Sequence, residues 1–155
     1  MFATALAVLG TLLGAVVAGA FQQKTAGRTE RATVAAQLRK ERLEAVTALA
    51  AAGADHRRAM YMRGEALLSG APGTRLEELR AASHGTRSAI TQPLVAVQIL
   101  IPDATVRAAA TDMVSAAYRM RDAETSTEDL TAARAAARTA HDRYVDAAAA
   151  YLTTA

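Results

Sequence analysis

Three histidines, His56, His84 and His141, are the side chains of this chain best suited to hold a metal or move a proton near neutral pH. Two of them have a carboxylate beside them, Asp55 and Asp142. A carboxylate-bridged metal site in a helical bundle needs Glu-x-x-His on one helix face, and no histidine here has an acid three residues before it. Immediate neighbours on a helix point to different faces, so neither aspartate can share a ligand set with its own histidine. The histidines are therefore expected at surfaces or interfaces, with no metal bound. The chain has no cysteine, which removes thiolate nucleophiles and disulfides. It also lacks GxSxG, Walker, GxGxxG and HExxH patterns. Its acids stand near bases, as in Glu41-Arg42 or Glu77, Glu78 and Arg80, which describes a solvated helix face. A non-enzymatic protein with no cofactor and no small-molecule substrate is the expectation.

Two basic groups remain. Ala54-Asp55-His56-Arg57-Arg58-Ala59-Met60-Tyr61-Met62-Arg63 is the most distinctive segment. In it Arg57, Arg58, Tyr61 and Arg63 form a candidate partner patch; alternatively the methionines pack inward and the arginines stay hydrated. The second group is Lys24, Arg28, Arg31, Arg39 and Lys40. Charges of this kind can contact nucleic-acid phosphates, but here they lack aromatic interleaving. Attraction to anionic lipid, worth about 1 kcal/mol per basic residue near the surface, accounts for them more simply. Residues 22–63 hold nine Lys/Arg against four Asp/Glu, and residues 64–155 hold nine against eleven, so the formal net charge of +3 arises in the first of these segments.

That basic group follows directly on residues 1–21, which contain no charged side chain. As a helix rising about 1.5 Å per residue, such a run matches the roughly 30 Å hydrocarbon core of a bilayer. Phe2 and Phe21 stand at its ends, where interfacial aromatics are common. Gly10, Gly14 and Ala18 recur every four residues, a spacing that lets two membrane helices approach closely. Basic flanks tend to stay in the cytoplasm, which predicts a single-pass protein with its amino terminus outside and its body cytoplasmic. The alternative is a secreted protein: Ala18-Gly19-Ala20 fits a signal-peptidase site, with cleavage after Ala20. No Lys or Arg precedes the apolar run, unlike an ordinary signal peptide.

Everything downstream reads as helix. Alanine supplies 41 of the 155 residues, and no segment alternates with period two. Leu43, Val46, Ala50, Gly53, Met60 and Leu67 form one helical stripe, interrupted at Arg57. Ser69-Gly70-Ala71-Pro72-Gly73 ends it. Thr74 with Glu77 then predicts a capping box for a second helix, whose apolar face is Ile90, Leu94, Val97 and Ile101. Pro93 either kinks or divides that helix, and Pro102-Asp103 ends it. Val106, Ala110, Met113, Ala117 and Met120 mark a third helix. Thr125 with Glu128 predicts a second capping box, opening a last helix on Leu130, Ala133, Ala137, Ala140, Tyr144 and Tyr151. The predicted fold is all-α. A transmembrane anchor (1–21) continues through a basic juxtamembrane stalk (22–42) into an alanine-rich antiparallel bundle (43–155) with about three further helices. A core rich in alanine buries little area, which favours self-association or a protein partner.

The 54–63 segment, with Thr86-Arg87-Ser88-Ala89-Ile90-Thr91-Gln92-Pro93-Leu94 and residues 99–103, resembles a group of small streptomycete proteins labelled Kil-type plasmid-spread proteins. Like them, the chain joins an apolar amino terminus to an alanine-rich helical body. The resemblance implies an accessory role in the spread of a conjugative plasmid or another mobile element, and it brings no catalytic residues.

Overall fold

The computed structural model describes residues 2–154, with side chains described from residue 29 onward. The chain folds as α1 (Phe2–Leu68), α2 (Gly73–Leu100), α3 (Ala104–Arg119), a short 3-10 helix (Met120–Ala123) and α4 (Thr127–Thr154). The apolar run 1–21, the Gly10, Gly14 and Ala18 spacing, and Lys24 and Arg28 lie outside the residues whose side chains are described. Among the described residues, no helix is long and apolar enough to cross a membrane.

The chain divides into two compact units, Met1–Leu38 and Arg39–Ala155. In the first, side chains 29–37 are solvent-exposed. The second is a four-helix bundle built from the later part of α1 with α2, α3 and α4. Its contacts define an up-down-up-down order. Val46 lies beside Tyr144 of α4 and in one cluster with Val97 and Val106, whereas Gly64 meets Leu130 at the opposite end. Successive helices joined by short connections pack as antiparallel neighbours.

The core has two clusters. Val46, Leu49, Ile90, Val97, Ile101, Val106, Met113 and Tyr144 fill one; Met60, Ala116, Met120, Leu130 and Ala137 fill the other. The apolar faces expected on the last three helices are the faces that turn inward. On α1 the buried stripe is shifted from the expected one. Val46, Gly53 and Met60 are buried, but Leu43 is 51% and Leu67 45% exposed, while Leu49 and His56 take core positions. Gly64 permits a close approach of α1 to α4: a methyl group there would lie 2.9 Å from both terminal carbons of Leu130.

Helix ends follow local chemistry, with two corrections. Gly70, at φ +70°, closes α1, and its N–H bonds the Leu67 carbonyl while that of Ala71 bonds Ala66. This double bond with a left-handed residue is the Schellman arrangement. The Thr74–Glu77 box does not form, because α2 starts a residue earlier, at Gly73. Pro72 precedes it, and the Pro72 carbonyl accepts from Arg75 and Leu76. The second box is displaced by one residue: Ser126 Oγ accepts from the Asp129 N–H at 3.0 Å and donates to the Asp129 carboxylate at 2.7 Å. The Ser126 hydroxyl and then the Thr125 hydroxyl, which donates to the same carboxylate at 2.9 Å, hold the Asp129 carboxyl below its usual range. α2 runs through Pro93 and ends at Leu100, where Ile101 turns extended. Ala89, four residues before Pro93, is exposed, so water can serve the carbonyl that proline leaves unpaired. Asp103 caps α3 by accepting from the Val106 N–H at 2.9 Å.

Candidate functional site

Helix α1 carries most of the chemistry, and its rotation sorts that chemistry onto different neighbours. Each residue turns the helix by about 100°, so the four members of the expected partner patch do not share one face. Arg63 turns toward α2 and the 3-10 helix, where its guanidinium grips the Glu124 carboxylate with two parallel bonds of 2.9 Å. It also donates to Ser83 Oγ at 3.3 Å. Both charged side chains are largely buried, 17% and 13% exposed. Tyr61 and Arg57 instead face α4. The Arg134 guanidinium lies 4.0 Å over the Tyr61 ring. Burial, followed by the nearby Arg134, Arg138 and Arg58 charges, lowers the Arg57 pKa against the opposing pull of Asp142. Arg58 is exposed and lines a separate groove with Asp55, Met62 and Leu79.

The basic residues nearer the start of the bundle hold helix ends. Arg39 donates to the Leu152 carbonyl at 3.1 Å, and Arg42 to the Leu100 carbonyl at 3.0 Å. Neither α2 nor α4 has a basic residue in its own last turn. Arg39 and Arg42 thus bring to both C-termini the positive charge and donors that orphaned carbonyls attract. Arg42 also lies 5.6 Å from the Tyr151 ring centre. Lys40 pairs loosely with Glu44, 3.8 Å away, and Arg31 is exposed.

The histidines separate by environment. His84 is exposed, and His141 lies 3.5 Å from the neighbouring Asp142. His56, expected at a surface, is 2% exposed. Its Nδ1 is hydrogen-bonded to Thr86 Oγ1 at 3.0 Å, and that hydroxyl also lies within bonding distance of the Ala82 and Ser83 carbonyls. The Tyr118 ring meets it edge-on, with centres 5.3 Å apart, and the Arg87 guanidinium lies 4.3 Å over Tyr118. Burial first, then the Arg87 and Arg63 charges, lowers the His56 pKa to about 4. It is a neutral core histidine with its hydrogen bond made. Tyr144 is likewise fully buried, its hydroxyl 3.4 Å from the Val46 carbonyl, and burial raises its pKa.

Arg63, His56, His84, Arg87, Tyr118 and Glu124 line a cleft of about 530 Å³ between α1, α2 and the segment from Tyr118 to Glu124. Its floor includes His56, Met60, Ser83 and Tyr118, and its rim carries Arg80, Arg87 and Arg121. Ser83, Thr86, Arg87, Tyr118, Arg121 and Glu124 are site residues that sequence reasoning missed. One signal existed: His56 continues the three-four spacing between Gly53 and Met60. Among the described residues, no three His, Asp or Glu gather as a metal site, and no buried side-chain polar atom lacks a partner.

The architecture and its paired polar groups define an all-α helical-bundle protein with a basic interhelical cleft. Residues 43–152 match the family described as KilB plasmid transfer protein. Across 149 residues the chain is 46% identical to Protein KilB of Streptomyces lividans, covering 96% of this chain and 97% of that one. The chain belongs to the KilB plasmid transfer protein family, as the resemblance of its sequence implied. No solved structure matches it.

Proposed function

We propose that this plasmid-transfer-related protein is a non-enzymatic, single-pass membrane protein whose helical bundle is a scaffold or accessory factor in plasmid spread. The observation that carries the reading is the sequence of α1: an uncharged run, residues 1–21, leads through basic residues into a bundle. The bundle's polar groups support a structural role. Arg63 and Glu124 hold each other, His56 holds Thr86, and Arg39 and Arg42 hold helix ends. In this reading residues 1–21 span the membrane and Gly10, Gly14 and Ala18 allow self-association. Lys24, Arg28, Arg31 and Lys40 contact anionic headgroups. The amino terminus is outside and the bundle cytoplasmic. The partner is a protein, met through the Arg57 and Tyr61 face together with Arg134 and Arg138 of α4.

The test uses the absence of cysteine. Ala108, exposed on α3, is replaced by cysteine, and intact plasmid-bearing cells are treated with a membrane-impermeant maleimide. Protein retained in carbonate-washed membranes and labelled only after lysis supports the reading. Labelling in intact cells reverses the orientation. A mature chain beginning at Phe21 would replace the anchor with a signal peptide. A plasmid lacking the gene should still replicate but spread poorly between cells, and the intact protein should restore spread.

A further inference from the structure

We propose that the cleft between α1, α2 and the 3-10 helix binds a phosphate monoester group. Four arginines line it from three elements: Arg63 on α1, Arg80 and Arg87 on α2, and Arg121 on the 3-10 helix. Two glutamates line it too. Glu124 is taken up by Arg63, and Glu77 stands 3.8 Å from Arg80 at the solvated rim. Four positive charges against two negative ones leave two uncompensated, at Arg87 and Arg121. Neither has a carboxylate within 4.0 Å among the described residues. A phosphate monoester carries a charge of about −1.5 to −2 at neutral pH, which matches that surplus. Guanidinium groups suit its oxygens because they present paired donors in a fixed plane.

The cleft is also built to stay in place. The bidentate Arg63–Glu124 pair ties α1 to the end of the 3-10 helix, and Arg63 is tied to α2 by donating to buried Ser83 Oγ at 3.3 Å, a hydroxyl whose own bond to the Arg80 carbonyl at 2.7 Å fixes its direction. Arg87 is held over the Tyr118 ring, so one guanidinium is partly ordered before a ligand arrives. The volume lies within the range of small-ligand sites, roughly 300–1,000 Å³. Met60, Leu67 and Leu76 give the cleft an apolar wall for the body of the ligand. The same chemistry is offered by a free phosphorylated small molecule or by the headgroup of a phosphatidic acid. The inference does not depend on the proposed anchor or scaffold role.

The test is calorimetric titration of the full chain in non-ionic detergent micelles at fixed ionic strength. The probes are inorganic phosphate, glycerol 3-phosphate and micelle-dissolved phosphatidic acid. Saturable binding at up to millimolar concentration is expected for at least one probe. Binding of the two soluble probes identifies a free ligand, and binding of phosphatidic acid alone identifies a lipid headgroup. Arg87→Gln with Arg121→Gln should weaken that binding at least about tenfold, since hydrogen bonds to charged groups are the strong ones. Arg121→Gln alone, at an exposed residue, should weaken it without altering thermal unfolding. Arg107→Gln, exposed and outside the cleft, should leave it unchanged. No saturable binding of any probe would overturn the inference, as would equal binding by the wild-type chain and the Arg121→Gln variant.

Discussion

Acidification should loosen this bundle through one side chain, His56. The unfolded imidazole takes a proton with the ordinary pKa of 6.5, whereas in the fold that pKa is lowered to about 4. Between these values the unfolded chain binds more protons, so stability falls as pH falls. Above 6.5 both states are neutral and nothing is lost; below 4 both are protonated and the loss is complete. The full difference corresponds to about 3 kcal/mol, of which about 2 kcal/mol should be lost by about pH 5. The cause is spatial: a 2%-exposed ring sits beside Arg63 and Arg87, with its hydrogen bond to Thr86 already made in the neutral form. Guanidinium unfolding of the full chain in detergent, from about pH 7.5 to about pH 5, would measure the slope, with His56→Gln as the non-titrating reference. Equal slopes in both proteins would refute the reasoning. So would an imidazole NMR titration showing His56 protonated near pH 6.5.

Two further changes report on how α1 is held. A double-mutant cycle of Arg63→Met and Glu124→Leu should give a coupling of about 2 kcal/mol, because the pair is bidentate and largely removed from water. The exposed Arg75–Glu78 pair, 50% and 67% exposed, should give less than about 0.5 kcal/mol in the same denaturation assay. Arg42→Met should lower stability by about 1–1.5 kcal/mol, through loss of the Leu100 bond and the Tyr151 contact. Thermal unfolding would show it as a lowered midpoint with unchanged helicity at room temperature.

Features set by neighbouring residues are legible in the sequence, and those set by distant partners are not. Inward faces of α2, α3 and α4 were legible because burial of every third or fourth residue is a periodic, local signal. The stop after Leu68 was legible because Gly70 and Pro72 act on their own backbone. The Thr74 box is absent, because the chain enters α2 through Pro72, whose own carbonyl accepts the Arg75 and Leu76 N–H groups. The Thr125 box is displaced by one residue: neighbouring hydroxyls can both accept a first-turn N–H, and the backbone entry angle selects Ser126. Family membership was legible because whole segments carry it, which the match over residues 43–152 bears out.

By itself, then, the sequence determined an all-α chain, its helix order, most of its core and its kinship with plasmid transfer proteins. Tertiary structure alone decided the polar chemistry. Arg63 meets Glu124 across 61 positions, and Arg39 meets Leu152 across 113. Only packing the helices brings such residues together. His56 shows the same division at one position. Its place on the helix was readable, but its burial, its partner and its lowered pKa required Thr86, Tyr118 and Arg87 to arrive from two other helices. A charge or a ring acquires its chemistry from the dielectric and partners around it, and those are properties of the assembled bundle.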